Sequence, residues 1–499
     1  MTTSISRRKL FGTAGALSLS IAGAAAPILA HASTNVPEKW DETTGLLIIG
    51  TGFAGLGAAL EAHYLGMKNE EIMVVDKMPT AGGNSIINGG AVAAAGTDMQ
   101  EKEGIKDSPD LLYADILKAG GGLAHPSLAR RIADESVENF YWLRDKIGVK
   151  FKAVTSHGGH SVKRSHAVTN NSGSGFINPM LAKLKEFGIT PRLRTIVDEI
   201  IVNDKKCVLG VKARVNYRFG RENSGKVVYI RATKGVLLAS GGFSNNVKMR
   251  MSHDPRLNEK FTSTNHPGAT GEMIQEAQEI GANTIQMDWI QLGPWTSPDE
   301  KGFGVAPKIV EAVVGYGFMV DPETGKRFVN ETGNRKVRSD AIVATGHPAV
   351  LAVSVDNVGH VPAEALKTGL EKGVVKTFDS AEALADFHKI PKDAFMASLA
   401  TWNEAVKAKK DPAFNAKIFD DTKVNQGKFY SIRLWPRVHY TMGGLAITPK
   451  AEVIGNDLKP IPGLYAAGEI CGGVHGMVRL GTVSIVDCLL FGRIAGKNA

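Results

Sequence analysis

The stretch Leu46-Leu47-Ile48-Ile49-Gly50-Thr51-Gly52-Phe53-Ala54-Gly55 constrains this chain more than any other. Its apolar run predicts a buried parallel strand, and Ala58, Ala59, Leu60 and Ala62 predict a helix just after the glycine-rich turn. Gly50 allows the tight turn, and Gly52 lets backbone N–H groups approach a pyrophosphate. Gly55 lets the helix pack closely on the strand, with the positive end of its dipole toward the phosphates. A second strand, Ile72 to Val75, leads into Asp76, 26 positions after Gly50. That is somewhat longer than the spacing of about 20 usual for a ribose-binding carboxylate. Strand, helix and acid together predict a dinucleotide-binding α/β unit, against the alternative of an ordinary strand–turn–helix.

With 499 residues, 43% of them hydrophobic and 22% charged, the chain has material for a large core and two or more lobes. Of its net charge of +9, three positives (Arg7, Arg8 and Lys9) fall in the first turns of sequence. No run of Lys and Arg is interleaved with aromatics, which argues against nucleic acid. A mildly basic surface suits an acidic redox partner as well as simple solubility. Cys207, Cys471 and Cys488 form no CxxC, so neither a zinc knuckle nor an iron–sulfur cluster is expected, and no CxxCH is present for a c-type haem.

Ser6-Arg7-Arg8-Lys9-Leu10-Phe11 is a twin-arginine sequence, followed by an Ala/Gly-rich apolar stretch to Ala26 and the small-residue site Ala30-His31-Ala32. Residues 1–32 read as a Tat export signal cleaved after Ala32. The apolar run is short and glycine-rich for a membrane span of about 20 residues. The expected product is a periplasmic protein that spans no membrane.

Further along, residues 81–90 are too glycine-rich for helix or strand and read as a loop beside a flat ligand. Pro109 and Pro126 read as helix starts. Residues 155–175 read as a loop over cofactor or substrate. Its His157, His160 and His166 have no acid or cysteine beside them, and no metal site is expected. Residues 196–230 are hairpin material, and 235–243 read as a buried strand ending in Gly241-Gly242. From about 255 to 428 the composition becomes more charged. The reading is a first cofactor-binding part at 33–254, a capping and substrate domain at 255–428, and the cofactor domain's second part at 429–499.

These segments together resemble the flavoprotein subunits of fumarate reductase and succinate dehydrogenase, above all the soluble periplasmic flavocytochrome c fumarate reductases and the urocanate and methacrylate reductases. The matching stretches are GTGFAG at 50–55, GGNS at 82–85, ASGGF at 239–243, EAVVGYG at 311–317 and GKRFVNE at 325–331. VHYTMGG at 438–444, GLYAAGE at 463–469 and VRLGTVS at 478–484 complete the set. The resemblance implies an α/β fold, a Rossmann-like FAD-binding domain with an inserted α+β capping domain. FAD would lie on Gly50, Gly52, Phe53, Ala54, Gly55, Asp76, Lys77, Gly82, Gly83, Asn84, Ser85, Gly89 and Gly90. Gly241, Gly242, Gly468, Glu469, Ser484 and Ile485 would complete its site. With Asn84 and Asn88 where relatives that bind FAD covalently carry a histidine, non-covalent FAD is expected.

The same resemblance implies reduction of an α,β-unsaturated acid, with hydride from flavin N5 and a proton from Arg335. His439 and Arg479 would grip the carboxylate, and Glu311 would feed the donor. Fixed cations there stabilise the charge that grows as hydride arrives. Departures from the family pattern lie on the other side of the pocket. Gly293 replaces the histidine of a His-Pro pair and is followed by Pro294 and Trp295. Val310 stands for a polar residue and Val314 for a relay arginine, while Tyr440 and Thr482 complete the candidate pocket. A second carboxylate buried there without a partner is costly. The expectation is therefore an enoate monocarboxylate reductase fed by a separate c-type cytochrome. The alternatives are a fumarate reductase holding its second carboxylate on Lys308 or Arg338, and a non-catalytic flavin electron-transfer subunit.

Overall fold

The computed structural model describes residues 36–499, so the export-signal reading lies outside the described residues. The glycine-rich unit forms as its sequence predicts. Strand β1 (Glu42–Ile49) runs into helix α1 (Phe53–Tyr64) and then strand β2 (Ile72–Val75), which pairs parallel with β1. Leu46, Leu47 and Ile48 have no exposed surface, as befits a strand covered on both faces. The long strand β3 (Lys226–Leu238) does two jobs. Its second half lies parallel to β1, and its first half pairs antiparallel with Val208–Val215, itself paired with Thr195–Val202.

Two backbone approaches fix the turn. Gly50 has φ of +118°, and a Cβ there would lie 2.2 Å from the Ala239 carbonyl oxygen; one on Gly55 would lie 1.9 Å from the Gly50 oxygen. Only glycine fits either place.

The inserted segment supplies strand β4 (Ile290–Gly293), helix α2 (Ala306–Val313) and helix α3 (Arg335–Thr345), the last capped by the Asn334 side chain on Val337 N–H. It also holds a four-stranded antiparallel sheet in which Ala349–Ser354 lies between Phe318–Val320 and Phe429–Leu434, with Val375–Phe378 outermost. Strand β5 (Arg437–Thr441) then pairs antiparallel with β4. Strand Pro460–Ala466 joins the main sheet parallel to β3, and helix α4 (Val483–Asn498) closes the chain against α1. Gly492 and Gly496 bring the two backbones into contact at Ala54 and Ala58.

Three expectations need correction. Within residues 81–90 a five-residue helix forms at Gly83–Ile87, begun by Gly82 in the left-handed region and ended by Asn88, whose amide binds the Ser85 carbonyl. His166 is not in a loop: it lies in strand Ser165–Val168, fully buried, with a ring nitrogen 2.7 Å from Thr97 Oγ1. Phe429–Leu434, placed by its sequence with the second cofactor part, instead completes the antiparallel sheet of the inserted segment. Its six-residue register with Ala349–Ser354 holds it there. Among the described residues, no helix is long and apolar enough to cross a membrane.

Candidate active site

Four separated segments converge on the turn after β1. Asp76 accepts from Thr51 N–H (3.0 Å), Thr51 Oγ1 (2.5 Å) and Met78 N–H (2.9 Å), so the acid ending β2 braces the glycine turn. Ser85 Oγ accepts from Phe53 N–H at 3.0 Å and ties residues 82–90 to the N-terminus of α1. Asn84 Nδ2 donates to Glu469 Oε2 (3.2 Å), and Thr441 N–H donates to Glu469 Oε1 (3.1 Å). Burial pushes the Glu469 carboxyl up to about 7, against the donors that oppose the shift. A Cβ on Gly83, Gly89 or Gly241 would meet nothing within 4 Å, so this backbone cradle faces open space. Lys77 turns away into an ion pair with Glu272 at 2.8 Å.

The cradle fits a dinucleotide. It has close-approach glycines, helix α1 whose N-cap residue Gly52 has no side chain, and an acid suited to hydroxyl donors.

Beside this cradle lies a second cluster. His439 on β5 is oriented at both ring nitrogens: Nδ1 lies 2.8 Å from Thr264 Oγ1, and Nε2 lies 3.3 Å from Arg479 Nη2. A guanidinium can only donate, so Nε2 is the acceptor and Nδ1–H donates to Thr264. Burial, with Arg335 and Arg479 close by, holds the imidazole neutral, well below its usual range. Arg479 also donates from Nη1 to the Leu480 carbonyl (3.2 Å), and its guanidinium stacks on Tyr440 at 4.9 Å. Burial lowers its pKa.

Arg335 opens α3. Its Nη1 donates to Gln291 Oε1 at 3.1 Å, and its guanidinium lies 5.5 Å from the Trp295 ring. Burial, then Arg479, push it down to about 9, against the counter-pull of Glu311. That is far below an ordinary guanidinium and brings it within reach of proton donation. Glu311 on α2 accepts from Arg338 Nη2 at 2.9 Å. It is hemmed in by protein yet 40% exposed, as expected of a group lining a solvent-reached recess. Burial would raise its pKa, but Arg338 and Arg335 outweigh burial and keep it below the usual carboxylate value.

The rest of the candidate pocket carries no further charge. Trp295 is 1% exposed and meets His439 edge-on at 4.8 Å, with Phe303 5.4 Å beyond it. A Cβ on Gly293 would lie 2.7 Å from the Trp295 ring, so the indole fills the space of a side chain at 293. Val310 does not reach the recess: it is completely buried in the apolar cluster that contains Trp295. Val314 ends α2, half-buried. Tyr440 is buried under Arg479, and Thr482 Oγ1 lies 2.8 Å from Ser165 Oγ.

Sequence reasoning missed Gln291, Thr264, Phe303 and the part played by His157. Burial, then His160 and Arg335, lower His157 to about 4, with Glu311 opposing and Arg479 adding to the fall; its Cβ is the neighbour that a side chain on Gly481 would meet at 3.4 Å. Alternation along β4 was the available signal for Gln291, two residues from Gly293 on the same face.

Comparison with known proteins places the chain. Residues 45–485 match the family described as FAD binding domain. The acrylate reductase flavoprotein subunit of Shewanella woodyi is 41% identical over 481 residues, covering 95% of this chain and 94% of that one. The fumarate reductase (cytochrome) of Shewanella frigidimarina is 35% identical over 92% of this chain and 77% of its own length. Among solved structures, the open conformation of a flavocytochrome c3 fumarate reductase superposes with a TM-score of 0.76, at 32% identity over 92% of this chain and 78% of that one. The chain therefore belongs to the FAD-binding-domain family of flavoproteins that includes these reductases, with FAD as its cofactor and oxidoreduction as its chemistry.

Proposed function

We propose that the protein is a periplasmic reductase of the C=C bond of a small α,β-unsaturated monocarboxylate, of the acrylate, methacrylate or aryl-acrylate type. The observation that carries this reading is the polarity of the pocket. Two guanidiniums and His439 form the charged part, and the buried Trp295 indole, over Gly293, lies beside Arg335 and edge-on to His439. A second carboxylate would meet an indole there instead of a cation, and burying it unpaired is costly. Lys308, a candidate for holding that group, is exposed, and Arg338 is engaged by Glu311. The most similar relative described above is named an acrylate reductase subunit, which agrees with this reading.

The glycine turn, Asn84 and Glu469 would hold FAD non-covalently, and that group would supply the hydride received by the β-carbon. The chain's own residues do the rest. Arg479 binds and orients the carboxylate and stabilises charge as it grows there, and the neutral His439, accepting from Arg479 at Nε2, holds that guanidinium in place. Arg335 delivers the proton to the α-carbon, and Glu311 connects Arg335 to solvent. Export by the twin-arginine route would carry the folded, FAD-loaded protein to the periplasm. A separate c-type cytochrome would deliver electrons, since no CxxCH occurs in this sequence.

The test is oxidation of reduced viologen by the FAD-loaded protein with acrylate, methacrylate, cinnamate and fumarate at matched concentrations. The reading predicts that a monocarboxylate beats fumarate by about 100-fold in kcat/KM, equivalent to about 2.7 kcal/mol of transition-state binding. Fumarate as the best substrate would overturn it, and no turnover with any acid would favour an electron-transfer subunit.

A further inference from the structure

Arg338 has no assigned part in the scheme above, yet its guanidinium is almost completely buried, with 6% of its side chain exposed. Its one hydrogen bond runs from Nη2 to Glu311 Oε1 at 2.9 Å, and Nε and Nη1 have no partner among the described residues. A buried cation with most donors idle is not explained by stability. Nor is its place: Arg338 lies in the first turns of α3, where cations oppose the helix dipole. It stands three residues after Arg335, on the same helix face.

Lys336 and Val314 offer Glu311 no cation. Lys336 is paired with Asp340 at 2.5 Å, and Val314 has no polar side chain. The charged and titratable groups around Glu311 are Arg338 and Arg335 from α3 and His157 from the loop after Phe151–Thr155.

We propose that Arg338 is the positioning residue that keeps Glu311 turned toward Arg335, and so sets how fast Arg335 regains its proton; this rests on the function proposed above. The sequence of proton transfers balances. The Arg335 guanidinium gives one proton to the substrate α-carbon and becomes neutral guanidine. The Glu311 carboxylate, ionised at rest, takes a proton from water at its exposed face and passes it to that guanidine, returning to the carboxylate. One solvent proton is consumed per substrate, and Arg338 remains a guanidinium throughout.

The test compares wild type, R338M, R338K and V314R/R338M as full-length, FAD-loaded proteins. The double variant offers Glu311 a cation at the residue that follows α2, three positions on. In R338M, kcat for enoate reduction is expected to fall at least about tenfold with little change in KM. Flavin reduction by viologen should keep its wild-type rate. The Glu311 carboxyl band, followed by infrared difference titration, should move up by about one pH unit or more, because the cation that favours the ionised form is gone. V314R/R338M should restore both kcat and the band, and R338K should restore them in part.

A Glu311 band that titrates alike in wild type and R338M overturns the inference, as does a folded, FAD-loaded V314R/R338M that recovers neither readout. If R338M fails to retain FAD, R338K and the double variant decide by the same two readouts. Absence of enoate turnover by the wild type would sink the proposed function, whereas the infrared titration decides the role of Arg338 in either case.

Discussion

The Trp295 indole lies over Gly293 so closely that a Cβ at 293 would come within 2.7 Å of the ring. The two positions are therefore one feature, and neither can change alone without cost. Gly293→His by itself forces the indole out of a packed site and is expected to lower unfolding free energy by about 1–3 kcal/mol, measured by urea denaturation. The double variant G293H/W295A removes the clash and puts a potential carboxylate partner where the indole lay. It should move the fumarate-to-acrylate ratio of kcat/KM toward fumarate by about tenfold or more, equivalent to about 1.4 kcal/mol.

Thr264 fixes the His439 tautomer by accepting from Nδ1–H at 2.8 Å, so that Nε2 faces Arg479. Thr264→Val keeps the volume and removes the acceptor. Loss of one such hydrogen bond at a buried ring is expected to cost about 1–2 kcal/mol. In steady-state assays this should appear as a fall of about tenfold in kcat/KM, carried largely by KM, with FAD content unchanged.

The Arg335 proton sets an alkaline limit. Its pKa, lowered to about 9 chiefly by burial and then by Arg479, belongs to the acid that must be protonated to act. Enoate reduction should therefore hold steady through neutral pH and fall as pH rises through about 9, tenfold per unit beyond it. Gln291→Leu removes the hydrogen-bond acceptor of Arg335 and should shift that limb to lower pH, because the acceptor favours the charged form.

Glu469 gives a prediction on stability. Burial disfavours the charge and raises its carboxyl to about 7 in the folded protein, whereas an unfolded glutamate titrates near 4.5. Between these values the folded state binds more protons than the unfolded state, so stability falls as pH rises through that window and levels off above about 7. The loss is at most about 3 kcal/mol. Thermal melts of the apoprotein at pH 5 and pH 7.5 should show it, and Glu469→Gln should flatten the difference.

What the sequence conveyed depended on whether function was carried within one segment or between segments. The turn at Gly50 to Gly55 was legible because strand, glycines and helix are contiguous and each obeys its own local rule. His439, Arg335 and Arg479 were legible through the motifs around them, although 144 positions separate Arg335 from Arg479. Gln291, Thr264 and Phe303 were not, since each acts by a contact across elements and none stands in a distinctive pattern. Arg338 stood beside Lys308 as a holder of a second carboxylate, and only packing shows it bound to Glu311. The boundary at 428/429 rests on composition, and composition does not show that Phe429–Leu434 pairs back into the inserted segment's sheet.

The central claim is that Arg335 is the acid of an enoate reductase, and rapid mixing of the reduced holoprotein with acrylate tests it most directly. Wild-type flavin absorbance should return as acrylate is reduced. In Arg335→Gln, with FAD content and the reduced spectrum unchanged, that return should slow by at least about 100-fold. Flavin reoxidation by acrylate at the wild-type rate in Arg335→Gln would contradict the account.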